Sequence, residues 1–356
     1  MSSLATRIGT LRLKNPIIAA AGEHLQSASG IRAALAAGAA VVIAKSTNET
    51  AAARLQLEQA EYRLLDDNWN VRPWNFRQPV PPFVLSRSGL IGREVDDWVA
   101  EIAALDAEAA KQHAYVAGSL VLADLDAGIE IGRKFQRAGV RILELNIGTP
   151  YGDEARAVTT ERSAERVATV VRAMRQGVDG TALWVKLTSQ SENVAALAQA
   201  AKQAGADAVV MIGRPLAMLP DLETMRPLIN TNAAYGGRWA LPLSCYWLAK
   251  ARKALGPQYP LIGTNGAQDG LDVARMLLAG ACAVEMCTAV LAGGFGVIHD
   301  TIAQLERYLD GKKLDAAALI GHAADAVQSF AEQPANGNWR RCVPPQTLGG
   351  SDDSAI

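Results

Sequence analysis

A (β/α)8 barrel of the TIM type, an α/β fold, is the architecture this sequence predicts, and three observations predict it. One short phrase recurs four times: Ala37-Gly38-Ala39, Ala138-Gly139-Val140, Ala204-Gly205-Ala206 and Ala279-Gly280-Ala281. Each copy closes a stretch of helical periodicity and opens a short apolar run. Glycine after the last helical turn supplies the left-handed residue that ends a helix, and the run that follows, too short for a helix, reads as a buried parallel strand. Eight such strands alternate with eight helical patterns, and 356 residues suit one such barrel. The same alternation leaves an open doubly wound sheet as the competing architecture.

The strands are expected at Pro16 to Ala21, Ala40 to Lys45, Tyr115 to Val121, Ile142 to Asn146, Leu183 to Leu187, Ala208 to Ile212, Leu261 to Thr264 and Ala283 to Met286. Apolar residues at i, i+3 and i+4 predict helices at Ile31 to Ala37, Val95 to Gln112, Ala127 to Ala138, Ala164 to Met174, Val194 to Ala204, Tyr246 to Leu255, Leu271 to Ala279 and Val297 to Leu309. Residues 1–312 would form the barrel, a single domain.

Two segments exceed the bare barrel. Thr50 to Val84, after strand 2, is long and rich in Pro, Asn and aromatics, with Trp69, Trp74, Phe76 and Phe83. It reads either as a lid or substrate loop or as an excursion whose tryptophans bury a satellite core. Residues 313–356 hold one more helix pattern, Asp315 to Ala331, and a Gly/Pro/polar tail expected to fray or to pack on the barrel or on a neighbouring chain.

Composition narrows the function. Apolar residues make up 49%, enough for a substantial core, while 35 basic and 36 acidic residues nearly cancel and leave no basic footprint for nucleic acid. The stretch Met276 to Ile298 is apolar but broken by Glu285 and four glycines, so no membrane span is expected. Cys245, Cys282, Cys287 and Cys342 show no Cys-x-x-Cys spacing for zinc or iron–sulfur, and reduced thiols suit the cytoplasm. Met1 to Asn15 lacks the apolar core of a signal peptide.

In a barrel the chemistry sits at the C-terminal ends of the strands. Those ends carry lysines and asparagines, among them Lys45, Lys186 and Asn146, which are costly core fillers. They either face a cleft or, for Lys45 and Lys186, pair with Glu144 in the barrel mouth. Gly263-Thr264-Asn265-Gly266 after strand 7 and Cys287-Thr288-Ala289 after strand 8 stand where barrels often bind phosphate, tight turn geometry being the plainer reading.

These residues carry a resemblance. Asn15-Pro16 with Ala21-Gly22, Ala44-Lys45-Ser46, Glu144 to Pro150, Val185-Lys186-Leu187, Gly263 to Gly266 and Leu278 to Ala281, in that order, resemble the dihydroorotate dehydrogenase family and the related flavin domain of dihydropyrimidine dehydrogenase. The match runs from about Asn15 to Leu309. The resemblance implies an FMN-binding barrel. Ala21 and Gly22 would pack on the flavin edge, Lys45 and Ser46 would approach the ring or ribityl chain, and Asn146 and Lys186 would hydrogen-bond the ring. Lys186 would steady negative charge near N1. Gly237, Gly263, Asn265, Gly266 and Thr288 would hold the phosphate.

The substrate side departs from the family pattern. Thr149 stands where the family has a catalytic Cys or Ser, and Tyr151 where an Asn follows; Ser86-Arg87-Ser88-Gly89 and Gly213-Arg214 replace other asparagine-bearing loops. Asn265 replaces the second phosphate glycine. The expectation is an FMN-dependent oxidoreductase acting on a C–C bond beside a carbonyl, with Thr149 and Lys186 catalytic. Ser86, Arg87, Ser88, Gly89, Tyr151 and Arg214 would contact a small anionic substrate other than dihydroorotate. The alternatives are a true dihydroorotate dehydrogenase with Thr149 as base, a flavin-free phosphate-binding aldolase or isomerase using Lys186 or Lys45, and a scaffold without catalysis. Thr149 would need a water or neighbour to relay its proton, and it reads equally as a turn cap. Tyr151 and His24 are the substitutes, His24 reading first as a solvent-facing loop residue. A homodimer and an unidentified electron partner complete the expectation, with no metal.

Overall fold

A computed structural model describes residues 2–74, 83–151 and 158–338. Phe76, Cys342 and the end of the tail lie outside them. The eight predicted strands all form: β1 (Ile17–Ala19), β2 (Val41–Ile43), β3 (Tyr115–Val121), β4 (Ile142–Asn146), β5 (Ala182–Lys186), β6 (Ala208–Met211), β7 (Leu261–Gly263) and β8 (Ala283–Met286). They pair in parallel in sequence order, and β8 returns to β1 to close the barrel. The open sheet is thereby excluded.

The helices that follow are α1 (Ala28–Ala36), α2 (Val95–Ala110), α3 (Leu125–Arg137), α4 (Ala164–Gly177), α5 (Val194–Gln203), α6 (Leu241–Leu255), α7 (Gly270–Leu278) and α8 (Gly296–Lys312). Side-chain caps start several of them, Ser27, Asp124, Ser163, Asn193 and Asp269 each accepting a bond from a first-turn N–H. The four repeated glycines stop α1, α3, α5 and α7 with φ of +105°, +81°, +103° and +115°, a conformation that costs a residue with a Cβ.

Inside the barrel, side chains alternate in and out along each strand. Ala117, Ile142, Trp184 and Ala283 belong to a buried apolar cluster in the lumen, onto which the hairpin Thr6–Ile8/Leu11–Leu13 packs Ile8 and Leu13. Outward residues join the helices in a second, larger core.

The segment after β2 is more than a loop. Its strands Glu61–Leu65, Val71–Arg72 and Phe83–Arg87 join Leu216–Ala217 and Ala233–Gly237, which follow β6, in a five-stranded antiparallel sheet. Leu65, Leu85, Ile229 and Ala233 form its satellite core, and Trp69 stacks on Phe83 at 4.8 Å. The predicted helix Asp315 to Ala331 is instead two short helices, Ala316–Leu319 and His322–Asp325. Gly321, at φ +80°, interrupts them where a Cβ would strike the Arg252 guanidinium. The chain divides into two compact units, Met1–Asp325 and Ala326–Ile356. The described part of the second holds one 3-10 turn, Phe330–Glu332, capped by Ser329 and Glu332.

Candidate active site

Two residues beyond the apolar lumen layer, the inward positions turn polar. Ala117 gives way to Ser119, Ile142 to Glu144, Trp184 to Lys186 and Ala283 to Glu285. Lys186 Nζ lies 2.8 Å from Glu144 Oε2 and 2.6 Å from Glu285 Oε2. Ser119 Oγ donates to Glu144 Oε1 at 3.1 Å and shares a 2.8 Å bond with Ser46 Oγ. Burial opposes charge on Lys186, yet the two carboxyls outweigh it and hold the ammonium protonated above its ordinary range. Burial likewise opposes charge on Glu144, but Lys186 outweighs it and the carboxyl sits low. Glu285 is pushed well up, first by burial and then by Glu144.

The pairing of Lys186 with Glu144 was one of the two sequence readings. Lys45 takes a different partner, Glu23 Oε1, at 3.1 Å. Glu23 also accepts from the Gly89 N–H at 3.1 Å and from the Tyr62 hydroxyl. Burial opposes its ionisation, but Lys45 and these donors outweigh it and hold its carboxyl below the usual range.

Above this layer opens a cleft at the C-terminal ends of the strands. Its barrel-side wall brings together Ala21, Lys45, Ser46, Asn146, Thr149 and Lys186. Asn265, Gly266 and Thr288 line it after β7 and β8, and Ser88, Gly89, Tyr151 and Arg214 line it from the added loops.

Five predicted positions are not on that wall. Gly22 stands behind it, where a Cβ would meet the His24 ring at 2.7 Å and Cys287 Sγ at 2.8 Å. Ser86 is fully buried and receives the Arg214 guanidinium. Arg87 cannot face a substrate, because alternation along its strand turns it from the side of Ser86 and Ser88. Its guanidinium braces the sheet by bonds to Gln59 O at 2.6 Å, Ile229 O at 3.2 Å and Glu61 at 3.2 Å. Gly263 lies inside β7, where a Cβ would press on Met276 Sδ at 2.8 Å. Gly237 is the last residue of its strand, paired to Phe83. His24 also differs from the solvent-facing reading. Both ring nitrogens are buried without a partner, and burial pushes its pKa down to about 4.

The turn after β7 has the shape of an anion cradle. Asn265 has φ +64° and Gly266 φ +135°, and a Cβ on Gly266 would meet Leu241 Cα at 2.6 Å. Glycine at 266 gives the backbone there a conformation and a close approach that a residue with a Cβ does not allow. Ser244 Oγ fixes the turn by donating to Thr264 O at 3.0 Å and Asn265 O at 2.5 Å. Asn265 Nδ2 and Trp239 Nε1 are buried donors with no acceptor.

On the opposite side, Thr149 is nearly buried, and its own carbonyl accepts from Thr160 Oγ1. Tyr151 is committed to the backbone. Its hydroxyl donates to Ser86 O at 2.6 Å and accepts from Ser88 N at 3.3 Å. Arg214 bonds the hydroxyls of Ser86 and Ser88, the latter at 3.3 Å, and no carboxylate among the described residues pairs with it. Sequence reasoning missed Glu285, Ser119, Glu23, Tyr62 and Trp239. The signal for the first two was available, since each stands two residues along its strand from an inward apolar side chain.

A fold, a polar barrel mouth and the motifs at the strand ends together point one way, and the sequence comparison decides it. The sequence profile described as "Dihydroorotate dehydrogenase" matches residues 3–309. The chain belongs to the dihydroorotate dehydrogenase family. It is 25% identical over 318 residues to the catalytic subunit of dihydroorotate dehydrogenase B (NAD(+)) of Thermoplasma acidophilum, covering 88% of this chain and 96% of that one. The corresponding subunit of Methanocella arvoryzae is 28% identical over 322 residues, 90% and 97% of the two chains. Dihydroorotate dehydrogenase A (fumarate) of Limosilactobacillus reuteri is 33% identical over 170 residues, 47% and 51%. Membership makes this dihydroorotate dehydrogenase-like chain a flavin-dependent oxidoreductase acting on CH–CH bonds. Among the described residues no helix is long and apolar enough to cross a membrane, and no group of three or more His, Cys, Asp or Glu is placed to hold a metal ion.

Proposed function

We propose that the cleft binds FMN and interconverts CH–CH and C=C in a small carboxylate, beside a carbonyl. One observation carries this reading. A single cleft joins the Asn265-Gly266 turn with its unpartnered Asn265 Nδ2, a charged Lys186, Thr149 and the Arg214 cation, which no carboxylate among the described residues pairs.

The residues fit the cofactor. The Asn265-Gly266 turn, with the orphan donor Asn265 Nδ2, suits the FMN phosphate. Lys186 and Asn146 suit the ring edge, where a cation steadies added negative charge. Bound FMN supplies the hydride chemistry. Thr149 moves the proton at the neighbouring carbon through its Oγ1, with a water as relay, since no titrating base among the described residues bonds it. Arg214 holds the substrate carboxylate, which matches its planar fork of donors.

A Schiff-base aldolase is disfavoured. Lys186 and Lys45 are both engaged by carboxylates, and Lys186 is held protonated above its ordinary range, so it is not a nucleophile. The relatives are named for dihydroorotate, itself a carboxylate, so it stands first among the substrates to try. The departures at Ser86, Ser88, Tyr151 and Arg214 favour a different one. Anaerobic addition of dihydroorotate and of other saturated carboxylates to the yellow protein tests the reading. Bleaching by one of them supports it, and no bleaching or recovery with any saturated or unsaturated carboxylate counts against it. We place the protein in the cytoplasm as a homodimer, which sedimentation and cell fractionation check.

A further inference from the structure

Glu285 is used by nothing in the reaction described so far. It lines the cleft, its side chain is fully buried, and it shares one lysine with a second fully buried carboxyl. Two ionised carboxylates around a single ammonium would leave an uncompensated negative charge on two fully buried side chains, and like charges this close do not both ionise.

We propose that the Glu144–Glu285 pair holds one proton between its two carboxyls at neutral pH, which makes Glu285 a positioning residue that sets how much positive charge Lys186 presents to the cleft. The trio then carries no net charge. The proton resides on the Glu285 side. Ser119 donates to Glu144, whereas Glu285 Oε1 has no donor facing it, and a protonated carboxyl has fewer acceptor sites to satisfy. The direction of both shifts agrees, Glu285 high and Glu144 low.

Other charged groups do not replace this proton: Arg214, the remaining cation of the cleft, bonds the Ser86 and Ser88 hydroxyls rather than either carboxyl. From β2, Lys45 is neutralised by Glu23. From β3 only the Ser119 hydroxyl faces the pair. The ends of β1, β6 and β7 offer Ala20, Ile212 and Thr264, and the Cys287 thiol beside Glu285 is held neutral by burial. Loss of the shared proton at alkaline pH would therefore make the floor of the cleft negative, just where reduced flavin adds charge.

The inference rests on the flavin reading for its consequence but not for its existence, so two measurements separate them. Infrared spectroscopy of the wild-type protein at pH 7 should show a carboxylic-acid carbonyl band that survives in D2O and is absent from Glu285→Gln. A wild-type protein without that band overturns the proposal, whether or not flavin binds. In the FMN-loaded protein, Glu285→Gln exchanges one neutral group for another. Its flavin midpoint potential should equal that of wild type at pH 7, while the steeper alkaline fall of the wild type, up to about tenfold in the reduced-to-oxidised ratio per pH unit, should vanish. If Glu285→Gln instead favours the reduced flavin tenfold or more at pH 7, both carboxyls were ionised and the proposal fails.

Discussion

Lys45 and Glu23 form an ion pair of 3.1 Å in the wall of the cleft, both side chains largely shielded from water. The pair ties the end of β2 to the turn after β1. Through Tyr62 and Gly89 it also fastens the added sheet to the barrel.

Removing one partner leaves a buried charge alone, which costs more than the pair contributes. Glu23→Ala should therefore destabilise the protein by about 3 kcal/mol, and Glu23→Gln, which still accepts from Gly89, by less. Urea denaturation checks both. A loss within error for Glu23→Ala would mean that water reaches Lys45.

Arg214 is the predicted grip on the substrate. Arg214→Ala should lower kcat/KM by roughly thirtyfold, about 2 kcal/mol of charge-assisted bonding, with flavin content unchanged. Steady-state kinetics and the visible spectrum read the two separately. Equal loss of flavin and activity would assign Arg214 to the cofactor instead.

Gly266 cannot carry a side chain without moving Leu241, since the Cβ would come within 2.6 Å of its Cα and the φ of +135° is already strained for any other residue. Gly266→Ala should lose more than about 1 kcal/mol of stability and bind FMN poorly. Flavin-to-protein ratio and thermal unfolding check the two effects. Normal flavin content in this variant would remove the cradle from the phosphate site.

His24 gives a pH signature. Its folded pKa of about 4 lies below the ordinary 6.5 because burial disfavours the charged ring. The unfolded chain takes up the proton first, so this contribution is complete above pH 6.5 and is lost as pH falls toward 4, by up to about 3 kcal/mol. His24→Leu should flatten stability over that window, measured by denaturation at several pH values. An unchanged slope would show that the ring is protonated or hydrated in the folded protein.

Much of the barrel was legible because local and global signals agree. The same glycines that end α1, α3, α5 and α7 precede short, largely apolar strands of the kind a helix-covered parallel sheet buries on both sides, and the count of eight favoured closing that sheet into a barrel. The added sheet was not legible, because Phe83–Arg87 pairs with Ala233–Gly237 across nearly 150 residues of sequence, and no local pattern records a long-range antiparallel pairing. At the site, Lys186, Asn146 and Thr149 could be read from strand ends. Arg87 could not be told from Arg214 without the strand register that turns the two apart. Glu285 looked like an interruption of an apolar stretch, and its meaning came only when β8 was seen beside β5 and β4 across the lumen.

The central claim is that a flavin lies in the barrel mouth beside Lys186. The most direct measurement is the visible spectrum of the purified protein, followed by denaturation and mass identification of what is released. The account predicts a yellow protein that yields FMN at about one per chain, with the Lys186→Ala variant retaining much less. A colourless protein that takes up no added FMN would contradict it.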